Sequence, residues 1–177
     1  LDLDINLDYN DSDKPYVGGI VGYLGEGTIA NVSFTGDITV TSSGGSGQVT
    51  YIGGLAGLKG ENGFIYYSSS SGNITTHDFT SDVYVGGIAG EGQGAGDSNI
   101  IGIVNSYSSG YIQGRGLGNV YVGGVVGNAL SDYFTKSYST GHILAEGVNT
   151  VYVGGVIGKM DNSGVNKGYS TGLIEGK

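Results

Sequence analysis

The 177-residue chain has no cysteine and no tryptophan, one proline and one methionine. Without cysteine there is no disulfide framework and no thiol chemistry, although the compartment is left open. One proline excludes collagen, which needs about 15–20% proline and glycine at every third position. Charge is scarce too: 13% of residues are charged, against a usual ~25%. Only seven are basic against sixteen acidic, a net charge of −9. A chain so poor in Lys and Arg lacks the basic patch that phosphate backbones or anionic membranes require. No run approaches the ~18 apolar residues of a membrane-spanning helix, so neither nucleic acid nor membrane insertion is expected. The start, Leu1-Asp2-Leu3-Asp4, is not a basic, apolar signal segment.

What the chain does have is glycine, 38 residues, together with 14 tyrosines and 38% hydrophobic residues. The apolar share argues against a disordered linker. The glycines recur in order: Tyr16-Val17-Gly18-Gly19-Ile20-Val21-Gly22 returns at Tyr51, Tyr84, Tyr121 and Tyr152. A second landmark follows each copy, with glycine at 36, 72, 110, 141 and 172 and isoleucine two residues later, at 38, 74, 112, 143 and 174. The third repeat carries extra polar residues around Glu91 to Ser98. Units that differ mainly in loop length are stacked structural repeats.

Each unit reads as three short strands: the Tyr-Val-Gly-Gly segment, a β-rich stretch such as Tyr133-Phe134-Thr135, and the strand through the landmark isoleucine. No segment sustains a 3.6-residue apolar period, so almost no helix is expected. The residue before the isoleucine varies (Asp37, Asn73, Tyr111, His142, Leu173), which suits an outward position beside an inward column. Val17 and Ile20 are both aliphatic yet of opposite strand parity, so the first strand is either covered on both faces or kinked at its glycines. The expected architecture is all-β: a parallel β-solenoid of five three-strand coils in a single domain over 1–177. A partial coil occupies 1–10, and coils start near 16, 51, 84, 121 and 152. No capping element is recognisable, so part of a longer array or assembly is expected, with flanking repeats or a second copy as end-to-end partner.

Gly54-Leu55-Ala56-Gly57 and Gly19-Ile20-Val21-Gly22, with Tyr138 to Ile143 and Tyr169 to Ile174 downstream, resemble the GLUG motif. That resemblance implies a repeat region of large secreted or surface-attached bacterial proteins, including adhesin-like proteins and accessory regions of IgA-cleaving metallopeptidases. It implies an extracellular, structural or adhesive role without catalysis. The metallopeptidase zinc motif His-Glu-x-x-His is absent.

Little else points to chemistry. His77 and His142 lack the companions a zinc site needs. Gly25-Glu26-Gly27-Thr28-Ile29-Ala30 fits the loose dinucleotide fingerprint but runs into a β-rich stretch instead of a helix. Asp2, Asp4, Asn6, Asp8 and Asp13 have the spacing of calcium-loop ligands, with Leu7 where the loop needs glycine. The strict alternation equally reads as a strand with one solvated face. Tyrosines remain. Tyr16, Tyr51, Tyr84, Tyr121 and Tyr152 should form one ladder. Tyr107, Tyr138 and Tyr169 should form another, beside Ser109, Thr140 and Thr171. Such a face either stabilises the coil by like-with-like stacking or binds a host glycan or protein.

Overall fold

The computed structural model describes residues 3–9, 14–42 and 48–177. Every strand pairing is parallel and connects one repeat to the next, and no helix forms among the described residues. The chain is a β-solenoid of about five turns. Each turn contributes to four sheets, one more than the three strands per coil expected. The first sheet contains the isoleucine strands Ile5–Tyr9, Ile38–Ser42, Ile74–His77, Ile112–Gly116, Ile143–Gly147 and Ile174–Gly176. The second stacks Tyr16–Gly18, Thr50–Gly53, Val83–Gly86, Val120–Gly123 and Val151–Gly154. The third begins after the paired glycines, at Val21–Ala30, Ala56–Tyr66, Ala89–Gln93, Val126–Leu130 and Ile157–Asp161, and continues through Ile103–Val104, Tyr133–Thr135 and Gly164–Asn166. The fourth is a row of two-residue strands: Ser33–Phe34, Ser69–Ser70, Tyr107–Ser108, Tyr138–Ser139 and Tyr169–Ser170. Two-residue strands leave too little periodicity to be read from sequence.

Register is like on like. Ile5, Ile38, Ile74, Ile112, Ile143 and Ile174 pair in one column, and Val17, Ile52, Val85, Val122 and Val153 in another. In the middle turns these residues are buried completely or almost so. Both expectations for the Tyr-Val-Gly-Gly strand hold at once. The chain bends at Gly-Gly, and the strand itself lies between the first and third sheets. A Cβ on Gly57 would sit 2.6 Å from the Val17 nitrogen, and one on Gly90 2.5 Å from that of Ile52. The last glycine of the motif thus lets the third sheet lie against the backbone of the second.

At the landmark glycine a Cβ would overlap the carbonyl oxygen of the same glycine one turn back, at Gly72, Gly110, Gly141 and Gly172 alike. Among the described glycines only Gly27 and Gly96 adopt positive φ. The glycine excess therefore answers to close backbone approach, not to left-handed turns. The left-handed corners between the third and fourth sheets belong to Asn31, Tyr67, Asn105, Lys136 and Lys167, with φ from 49° to 57°. Such a conformation costs a non-glycine residue about 1–2 kcal/mol. A serine spine stabilises the corners. Ser68 Oγ donates to the Tyr66 carbonyl at 2.8 Å and accepts the Val32 N–H at 3.2 Å. Ser106 and Ser137 repeat both bonds one and two turns on.

A methyl group at Gly110 should therefore cost about 3 kcal/mol, the upper end for overpacking, because a backbone carbonyl is in its place. Gly27→Ala, with positive φ but open space, should cost about 1 kcal/mol. Denaturant unfolding of the two variants gives the comparison, and equal losses would show that backbone approach does not set the glycine pattern.

Candidate functional site

Two tyrosine columns stand on the solenoid, and they differ in exposure. Tyr16, Tyr51, Tyr84, Tyr121 and Tyr152 stack with ring centroids 5.3, 5.2, 4.3 and 4.8 Å apart. They lie on the face of the second sheet that meets the third, and Tyr121 is buried. Burial is the main reason that the Tyr51 hydroxyl is pushed up to about 12, with Glu91, Tyr16 and Asp82 adding to it. Tyr84 and Tyr121 move the same way, again chiefly by burial.

Tyr107, Tyr138 and Tyr169 stack at 5.0 and 4.7 Å on the outer face of the fourth sheet, nearly parallel at 5° and 4°. Ser109, Thr140 and Thr171, two residues further along, are exposed on the same side. The alternating Ser108, Ser139 and Ser170 point inward against the paired glycines. Six candidate residues are thus brought into one outward strip. Its geometry limits what it can do. Rings stacked face to face cover each other's π faces, so the strip presents ring edges and hydroxyls. A sugar ring that stacks on an aromatic needs a free face.

The acidic start behaves differently from a calcium loop. Residues Ile5–Tyr9 form an extended strand, so alternate side chains are spaced about 6.6 Å apart. Asp4, Asn6 and Asp8 therefore line a strip and do not wrap one ion; Asp2 and Asp13 lie outside the described residues. Asp4 has a structural task, since its Oδ1 accepts the Asp37 N–H at 2.9 Å. Asp37 does the same for Asn73, and Asn73 for Tyr111. The outward position that looked merely variable is partly a ladder of backbone caps. Among the described residues no three His, Asp or Glu gather as a metal site. His142 pairs with Glu175 at 2.8 Å. Gly25 to Ala30 lie inside the strand Val21–Ala30, so the dinucleotide fingerprint opens no helix.

The least expected constellation is inside. Lys59 Nζ lies 2.8 Å from Asp132 Oδ2, and both side chains are 1% exposed. Lys59 belongs to the column Leu24, Lys59, Gly92, Ala129, Met160. A lysine in a column of small and aliphatic residues was the available signal, but it appears only once the register is known. Burial pushes the Lys59 amine down and the Asp132 carboxyl up, each opposed by its partner's charge. Asp132 Oδ1 also accepts the Tyr133 N–H at 2.9 Å. Outside this pair, an open cleft of about 440 Å³ lies beside Asp78, Phe79, Arg115, Glu146, Val148 and Lys177. Its charges are spread, with Glu146 3.9 Å from both Arg115 and Lys177.

These features define a parallel β-solenoid repeat module whose polar groups are mostly engaged in holding turns together. Residues 15–41, one full turn from Tyr-Val-Gly-Gly to the isoleucine strand, match the GLUG motif. An alignment of 77 positions, covering 41% of the chain, is 34% identical to halomucin of Haloquadratum walsbyi, and the match covers 1% of that protein. No solved structure matches the chain.

The buried ladder gives a pH prediction. The Tyr51, Tyr84 and Tyr121 hydroxyls are raised above the unfolded value of 10.0, so unfolded chains ionise first as pH rises. The stabilisation is complete below about pH 10 and is lost as pH climbs towards about 12. Thermal melts from pH 8 to 12 should fall only above pH 10, together with a late tyrosinate absorbance. A fall beginning well below pH 10 would refute the ladder as its cause.

Proposed function

We propose that the chain is a non-catalytic scaffold segment, a stiff rod portion of a large extracellular or cell-surface protein. The observation that carries this reading is the like-on-like register of identical columns, which bury one another between turns. Val122, Val125, Val126 and Ile143 are 0% exposed, sandwiched between turns. Their counterparts one turn on, Val153, Val156 and Ile157, are only half-buried, and Ile174 is 42% exposed. A turn of this design is thus completed by a neighbouring turn in the same register. Such a turn, from the same chain or from a second copy, would extend the rod by about 4.8 Å. The match to halomucin, a cell-surface protein, supports the surface setting. The small share of that protein covered suits a segment whose role is repetition.

Small-angle X-ray scattering on the single chain and on a tandem duplicate tests this. The duplicate should lengthen by roughly 24 Å, five turns at about 4.8 Å, with an unchanged cross-section. Scattering from the single chain over rising concentration shows whether copies join end to end. A duplicate that thickens instead of lengthening would overturn the rod.

A further inference from the structure

We propose that Lys59 and Asp132 condense into an intramolecular isopeptide bond that ties the second turn of the solenoid to the fourth. The two residues are not in neighbouring turns. Lys59 lies in the strand Ala56–Tyr66, and Asp132 follows Val126–Leu130 two turns later. Between them the third turn places Gly92, in register with Lys59, where a Cβ would stand 2.8 Å from Asp132 Oδ2. The missing side chain opens the path from amine to carboxyl. Two further glycines of the third turn, on either side of its extra residues, then lie against the pair. A Cβ on Gly102 would overlap both charged groups, and one on Gly94 would stand 2.7 Å from the Asp132 Cα. The strand ends that flank the third repeat's insertion thus wall this small compartment.

The chemistry fits what is placed there. A buried ion pair is a poor source of stability, because desolvation offsets its attraction. The same burial favours a neutral amine and a neutral carboxylic acid, which are the reactants of condensation. The Lys59 nitrogen attacks the Asp132 carboxyl carbon, and the bond from that carbon to Oδ2 breaks. Oδ2 leaves as water, carrying its own proton and one from nitrogen. Oδ1 stays as the amide oxygen, with the Tyr133 N–H already donating to it at 2.9 Å where negative charge develops. No oxidant, metal or co-reactant is required.

Intact-mass spectrometry of the folded chain reads the result directly. The expected mass is one water, about 18 Da, below that of the sequence. Digestion should release a branched peptide joining the Lys59 and Asp132 segments. Lys59→Arg and Asp132→Ala should each restore the full sequence mass. Asp132→Asn should still cross-link, with loss of ammonia, about 17 Da, instead of water. A folded wild-type chain at full sequence mass overturns the proposal. So does loss of water without a branched peptide, which is the signature of a succinimide at Asp132-Tyr133.

Discussion

At Gly72, Gly110, Gly141 and Gly172 the carbonyl oxygen of one turn occupies the space where a side chain of the next would begin. That backbone-on-backbone contact fixes most of the fold. It forces successive turns into one register, since a slip of one residue would drive a Cβ into a carbonyl. With register fixed, every other position becomes a column, and each column must be compatible with itself at a spacing of about 4.8 Å. Isoleucine over isoleucine and tyrosine over tyrosine meet this condition. The left-handed corners can then be held by Asn, Tyr or Lys, because the serine spine and the stacked turns fix the conformation from both sides.

The same condition accounts for the low charge content. Like charges placed directly over one another in adjacent strands repel. Where charge occurs on the described turns it is mostly interrupted or complemented, the exceptions being Asp37 over Asp4 and Lys167 over Lys136, both outside the core. Arg115 pairs in register with Glu146, and His142 faces Glu175. Asn73 follows Asp37 and donates to it from both backbone and side chain. Asn119 does the same for Asp82. Uncharged amides and hydroxyls form the remaining polar columns, where each group can both donate and accept along the stack.

Much of this was legible because repetition does the work of an alignment. Five copies of one pattern showed which positions were inward, and the isoleucine column lies where its constancy placed it. The Tyr-Ser strands were missed, being only two residues long. The covering of the Tyr-Val strand on both faces was left open, because the contact that decides it is between glycine and backbone and leaves no side-chain pattern. The acidic start was legible as a strand, and Asp4 proved to cap the next turn. Lys59 and Asp132 were invisible for a different reason. They are 73 residues and two turns apart, and each looks like an ordinary loop charge until the columns are aligned.

That pair also marks where the chain departs from repetition, and the departures coincide. The long insertion, the substitution of glycine at position 92 and the only charged pair with both members nearly inaccessible among the described residues meet at one place in the third turn. A solenoid held by nearest-neighbour stacking yields turn by turn, each turn protected only by the next. A link from the second turn to the fourth changes that, because the third cannot leave while its neighbours are joined across it. In a rod that transmits load along its axis, such a point sets the smallest unit that opens, and the symmetric remainder of the sequence cannot supply one. The proposed bond would thus act where the chain departs from its repeat, at the one buried charged pair that the repeated columns do not supply.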